Sequence, residues 1–253
     1  MQLIELVELL YTAHRRYSSI QVRWTYRYSR TVMRIALERW EKMEGGGNAA
    51  GFLMSLEAST DEHTESGIVQ KEMEEVRRQV WWQKPSCWRE ERTWERASDT
   101  LYILCDEQWW MFSKNHLTTN AADAERWSQA GIHVEKSMGT TEISDLTFNV
   151  PLLDPSFLLG THELEPVAET VHAGRPAIEV RGTWEKRIDT LHEAYFWATA
   201  DEYRLLVDKE YGILLRYAAV IDGEEYAVSS VEEVIYDQPI PPETFVFSPP
   251  SKS

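Results

Sequence analysis

Seven histidines, two cysteines and 42 carboxylates are the side chains of this 253-residue chain able to carry acid–base, nucleophilic or metal chemistry. Their spacing sets up none of it. His14, His63, His116, His133, His162, His172 and His192 are scattered without ligand spacing. His192-Glu193 runs on into Ala194-Tyr195-Phe196, so it lacks the second imidazole, one helical turn away, of a zinc-binding HExxH. No GxSxG elbow presents a serine nucleophile, and no GxGxxG or GxxxxGK[ST] loop cradles a phosphate; Gly45-Gly46-Gly47 has no Lys and hydroxyl after it. The doublets Glu90-Glu91 and Glu232-Glu233 read as solvated strand faces, because 42 carboxylates make adjacency cheap. Cys87 and Cys105 form no CxxC and are expected as buried thiols; a disulfide requires adjacent strands to bring them together. The expectation is therefore a protein without catalytic residues, metal or cofactor, rather than an enzyme.

Aromatic residues carry more information. Trp (11) outnumbers Phe (7), and six of the eleven indoles fall between residues 81 and 110. Side chains alternate along a strand, so Trp81-Trp82 and Trp109-Trp110 each place one indole on either face of a sheet. One reading is core on one face and partly covered rings on the other. Another is a concave face lined with indoles around an apolar ligand.

The elements that would position these rings follow from periodicity. Leu3, Leu6, Val7, Leu10, Tyr11 and His14 predict an amphipathic helix over 2–16. Residues 20–28 alternate, with Ile20, Val22, Trp24, Tyr26 and Tyr28 on one face and Gln21, Arg23, Thr25 and Arg27 on the other, a half-buried strand. Residues 31–43 fit a helix or a continued strand equally. A glycine-rich break and an acidic, hydroxyl-rich stretch make 44–67 a flexible loop. Strands are then expected over 72–83, 87–94, 100–105 and 108–113, the last two joined by a tight Asp106-Glu107 turn. Residues 114–147 are polar and unassigned, apart from a turn or two of helix within 121–130. Asp154 as N-cap, Pro155 and Gly160 frame a short helix. Strands over 161–171, 177–184, 195–198, 202–208, 213–221 and 225–236 follow, with Asp222-Gly223 as a strong hairpin signal.

At 43% hydrophobic and 27% charged residues the chain is a folding one, and no uncharged apolar run is long enough to span a bilayer. Its net charge of −16 repels phosphate backbones and anionic lipid surfaces, which disfavours nucleic-acid partners and peripheral membrane binding despite the interleaved Arg23-Trp24-Thr25-Tyr26-Arg27-Tyr28. Residues 1–47 hold eight basic and five acidic side chains, +3, so the acidity of −19 belongs to the rest. The first residues have no basic region ahead of an apolar one, which reads as neither signal peptide nor anchor. The expected location is cytoplasmic, or extracytoplasmic if a leader has been removed.

Two segments carry a resemblance. Residues 202–217, EYRLLVDKEYGILLRY, with the ending Pro241-Pro242-Glu243-Thr244-Phe245-Val246-Phe247-Ser248-Pro249-Pro250, resemble the C-terminal half of the LolA/LolB-like lipoprotein-carrier superfamily, which includes an RseB-like branch. Residues 80–89, VWWQKPSCWR, followed by 106–112, DEQWWMF, are similar to that superfamily's strand, turn and hairpin. The resemblance implies a mainly β (α+β) fold: a strongly curved antiparallel sheet forming a half-open barrel, with an N-terminal helix and short plug helices on the concave side around an apolar cavity. It covers about half the chain and contains no catalytic motif. Relatives carry lipoprotein acyl chains or lipids, or sense them and regulate an anti-sigma factor.

These readings converge on a single domain over 1–253, with 249–253 as a tail, that binds a hydrophobic, lipid-like ligand without transforming it. Face parity selects Trp24, Tyr26, Trp82, Trp110 and Phe112 as cavity-wall candidates. The alternative is a regulatory or interaction module that has lost cargo and binds a protein partner. Neither reading involves nucleic acid or stable membrane insertion.

Overall fold

The computed structural model describes residues 1–29, 32, 35–36, 38–39, 73–95, 98–122, 125–129, 131–137, 152–185 and 200–248. The strand expected over 195–198, the loop 44–67 and the tail 249–253 lie outside them. Among the described residues, twelve strands form one sheet: β1 (Ser19–Ser29), β2 (Met73–Gln83), β3 (Cys87–Trp94), β4 (Thr100–Cys105), β5 (Gln108–Ser113), β6 (His116–Thr119), β7 (His133–Lys136), β8 (His162–His172), β9 (Arg175–Trp184), β10 (Glu202–Asp208), β11 (Leu214–Ile221) and β12 (Glu224–Tyr236). Their spatial order is β7-β6-β5-β4-β3-β2-β1-β12-β11-β10-β9-β8, antiparallel throughout except for the parallel β6–β7 pair. The two ends of that order, β7 and β8, do not pair, so the sheet is unclosed.

The turns explain the meander. Asp106-Glu107, Lys114-Asn115, Ala173-Gly174 and Asp222-Gly223 each place two successive residues at positive φ, the geometry whose twist matches antiparallel strands. The expected strands bracket each of these turns except Lys114-Asn115. With it go β6 and β7, which occupy the stretch left unassigned, while the short helix α2 (Glu125–Gln129) falls within the 121–130 expected to hold a turn or two of helix.

Curvature shows in a contact across the sheet. In a flat sheet β8 and β12 would lie about 19 Å apart, four strand spacings. Instead His172 Nε2 of β8 is 3.1 Å from the Val231 carbonyl of β12. The same hairpin sends Arg175 onto Asp208, a carboxylate that is 0% exposed. Asp208 accepts from Arg175 Nε (2.9 Å), the Glu210 and Tyr211 amides (2.9 and 3.0 Å) and the Tyr236 hydroxyl (3.1 Å). The Arg175 guanidinium lies 5.2 Å from both rings of the stacked Tyr211–Tyr236 pair. One end of the half-barrel is thereby clasped.

Helix α1 (Leu3–Thr12) continues into a 3₁₀ turn over Ala13–Arg15, and its Glu5 carboxylate accepts from the Gln2 amide at 2.7 Å. It buries Leu6, Leu9, Leu10 and Ala13 in the core, whereas Leu3 and Tyr11 face outward, so its inner stripe sits one residue round from the one periodicity suggests. The chain touches α1 closely: a Cβ on Gly212, at φ +79°, would stand 2.4 Å from the Leu9 carbonyl oxygen. Residues 155–161 form a 3₁₀ turn (Pro155–Phe157) and helix α3 (Leu158–Thr161); Asp154 caps Ser156 N at 3.2 Å, while Gly160 lies inside the helix and His162 ends it. The described residues within 31–43, namely Val32, Ile35, Ala36, Glu38 and Arg39, are helical, which resolves that ambiguity, and Ala36 is buried in the core.

The main core joins α1 and α3 to β1, β2, β3 and β8–β12 on the concave face. A smaller cluster of Ile103, Trp110, Leu117, Ala121, Ile132 and Phe247 forms on the other face of β4–β7, packed by Trp127 of α2. Cys87 opens β3, Cys105 closes β4, and the two are joined in a disulfide, in place of the expected thiols.

Candidate functional site

Register, which fixes who stands beside whom, builds the concave face row by row. Ile20 aligns with Trp82, Trp88, Leu104 and Trp109 across β1 to β5. The next inward row is Val22, Val80, Glu90, Tyr102 and Met111. Below it come Trp24, Arg78, Arg92, Thr100 and Ser113. Tyr26, Val76 and Trp94 follow, and Tyr28 faces Glu74. The wall thus reads aromatic, polar, aromatic from one end of the strands to the other.

The polar rows hold charge at positions that alternation reserves for apolar side chains. Glu90 is 0% exposed, with Arg78 and Arg92 largely buried beside it. Arg78 Nε donates to Glu90 Oε1 at 2.5 Å; Arg92 donates through Nε (2.8 Å) and Nη2 (3.1 Å) to both carboxylate oxygens. Each guanidinium rests on an aromatic ring, Arg78 5.0 Å from Trp24 and Arg92 4.7 Å from Tyr102. Burial works to raise the Glu90 carboxyl, but the two guanidiniums outweigh it and hold it below the usual range. Burial lowers Arg78 beneath the ordinary guanidinium value. The doublet Glu90-Glu91 is therefore no solvated face: only Glu91 turns outward, against Arg89 at 2.6 Å, whereas the exposed Glu232 and Glu233 both pair with Arg23 as a solvated face would.

The wall candidates separate by face. Trp24, Tyr26 and Trp82 share the concave face, with Trp24 sealed and the other two half-buried. Trp110 aligns with Ile103 and Phe112 with Leu101, on the opposite face, where Phe112 packs at 5.6 Å against Phe247. The indole of that doublet facing the concave side is Trp109, which packs on the main core. Sequence reasoning passed over Arg78, Glu90, Arg92 and Tyr102, although the parity that turns Trp82 inward also turns Arg78 inward.

Elsewhere on the concave side the face is filled. Tyr203, Tyr217 and Tyr226 are each fully buried, and burial pushes the Tyr203 and Tyr217 hydroxyls far above their ordinary value. His162 is 4.4 Å from Tyr203, ring to ring, and burial pushes its imidazole down to about 3, so it stays neutral. Its Nδ1 meets Thr161 Oγ1 at 2.8 Å. These groups form core, whereas Tyr26, Tyr28, Trp82, Trp94 and Trp109 on the β1–β5 side are partly exposed, as are Phe157, Trp184, Tyr211 and Tyr236 on or beside β8–β12. The described residues include no helix long and apolar enough to cross a membrane.

No family model matches the sequence, and no curated protein does. Among solved structures, MucB is similar at 12% identity and a TM-score of 0.47, over 97% of this chain and 62% of its own, so the chain spans about three fifths of MucB. MucB of Pseudomonas aeruginosa is also solved in complex with MucA. Lipoprotein LppX of Mycobacterium tuberculosis is similar at 8% identity and a TM-score of 0.46, over 95% of this chain and 99% of LppX. A LolA superfamily protein from Nitrosomonas europaea is similar at 9% identity and a TM-score of 0.32, over 98% of each chain.

Proposed function

We propose that the β1–β5 side of the concave face binds an apolar, lipid-like ligand and does not transform it. The observation that carries this reading is a set of large aromatic side chains, Tyr26, Tyr28, Trp82, Trp94 and Trp109, that share one face and keep a minor part of their surface exposed while Trp24 and Trp88 between them are sealed. Aromatic rings contribute most when fully desolvated, at roughly 25 cal/mol per Å² of apolar surface removed from water. A partly covered row is surface that an acyl chain can finish covering. Native mass spectrometry of the purified protein tests this: a species heavier by a lipid mass is expected, with quenching of Trp fluorescence by a brominated acyl chain. An apo species that no acyl chain quenches would remove the reading.

A protein-interaction module is the second reading, and it draws on Leu3, Ile4 and Tyr11, which leave the outer side of α1 apolar and exposed. The Cys87–Cys105 disulfide supports placing the protein in an oxidising, extracytoplasmic compartment.

A further inference from the structure

We propose that the β6–β7 pair carries a site for a divalent transition-metal ion, zinc above all, held by the imidazoles of His116 and His133 and the carboxylate of Glu135. The site is separate from the apolar-ligand reading above and stands or falls without it.

Register makes the cluster. The two histidines are far apart in sequence, and nothing in their spacing marks a ligand pair. Parallel pairing sets His116 directly beside His133, and their ring centroids lie 4.7 Å apart. Glu135 follows His133 by two residues on the same strand, so its side chain leaves from the same face. Its Oε2 stands 3.2 Å from His116 Nε2. Two imidazoles and a carboxylate from adjacent strands thus meet on one face of the sheet.

Their chemistry and spacing suit an ion. Nitrogen and oxygen ligands sit about 2.0–2.2 Å from zinc, so two of them on one ion are roughly 3.0–3.4 Å from each other. His116 and Glu135 already have that separation. An N–H donating to the carboxylate spans the same distance, and binding exchanges its proton for the ion. His133 is exposed, so its ring can turn about its side-chain bonds to bring a nitrogen to the shared position. The donor set also selects, because imidazole suits zinc, copper and nickel, whereas magnesium and calcium take oxygen ligands. A net charge of −16 draws cations towards the chain. Cys87, Cys105 and Asp106 also lie close together, but both sulfurs are spent in the disulfide and supply no rival thiolate pair. An ion shared by His116 and His133 would fasten β7, a strand of four residues that among the described residues pairs with β6 alone.

Calorimetric titration of the intact, disulfide-bonded protein without a polyhistidine tag tests this, with zinc chloride set against magnesium chloride. Zinc is expected to bind at one equivalent and magnesium not at all. His116→Gln and His133→Gln should each weaken zinc by roughly a hundredfold or more, beyond the ten- to hundredfold that loss of a supporting residue costs. Glu135→Gln should weaken it at least about tenfold. His14→Gln, in the 3₁₀ turn after α1, should change nothing. Hydrogen exchange on the unaltered protein locates the ion without relying on any variant: the amides of His116–Thr119 and His133–Lys136 should slow when zinc is added. Absence of zinc binding, binding that both histidine variants retain, or exchange unchanged across β6 and β7 overturns the site.

Discussion

Replacing Glu90 by Gln tests the buried charge cluster at its centre. The amide keeps the size of the carboxylate but loses its charge, and one of its two ends becomes a donor facing donors. Three bonds from Arg78 and Arg92 are lost or weakened. Both guanidiniums lose the carboxylate they share, on a wall where Glu90 itself is 0% exposed. Breaking a buried ion pair by removing one partner costs about 3–5 kcal/mol. For a chain of this size that corresponds to a fall in melting temperature of roughly 6–20 °C. Urea unfolding followed by Trp fluorescence, with calorimetry in parallel, measures it. The sign of the pH dependence is also determined. Glu90 is held below its ordinary value in the folded state, so its stabilisation is complete above about pH 4.3 and fades as pH falls through the folded value. The gap between the two proteins should therefore be full at pH 7 and narrow on acidification. A loss below about 1 kcal/mol would mean that the cluster behaves as a solvated surface pair, and the reasoning from burial would be refuted.

Two further outcomes follow from the backbone and the crosslink. Gly212→Ala should lose about 2–4 kcal/mol, since its Cβ meets the Leu9 carbonyl, whereas Gly174→Ala, at φ +74° with no atom within 4 Å, should lose about 1 kcal/mol; equal losses in calorimetry would deny the close seating of α1. Thiol titration of the unfolded protein should find none before reduction and two after, and reduction should destabilise the fold by about 3 kcal/mol in urea, as a crosslink of 18 residues' separation implies; two titratable thiols without reductant would contradict the bond.

Local pattern accounts for much of what the sequence made legible. Alternation bounded by turn residues set β3, β4, β5 and β10 to the residue, and the inward side of β1 was read correctly from Ile20 to Tyr28. What alternation cannot supply is the relation between strands. Trp82 and Trp110 are each the second indole of a doublet, yet they face opposite sides, because the two-residue turn at Asp106-Glu107 pairs Cys105 with Gln108 and so sets Trp109 beside Leu104. The Lys114-Asn115 turn escaped because the polar stretch after it shows no alternation to mark a returning strand, although both residues adopt positive φ. Glu90 escaped for a different reason. Its burial depends on Arg78 twelve residues earlier, and only register brings the two together.

The strand order has a kinetic meaning. β2 to β6 and β8 to β12 are each runs in which every strand pairs with its predecessor, so each can form by short-range closure. β1 alone joins them, and its partner β12 ends more than two hundred residues later, with Ile20 set against Tyr236. Long loops close slowly, so this pairing governs when the sheet becomes whole. A ribosome-bound chain lacking its last strand would present the edges of β1 and β11 unpaired. The sheet's first strand is thus among the last to be satisfied, and the middle of the finished sheet is where its first and last strands finally meet.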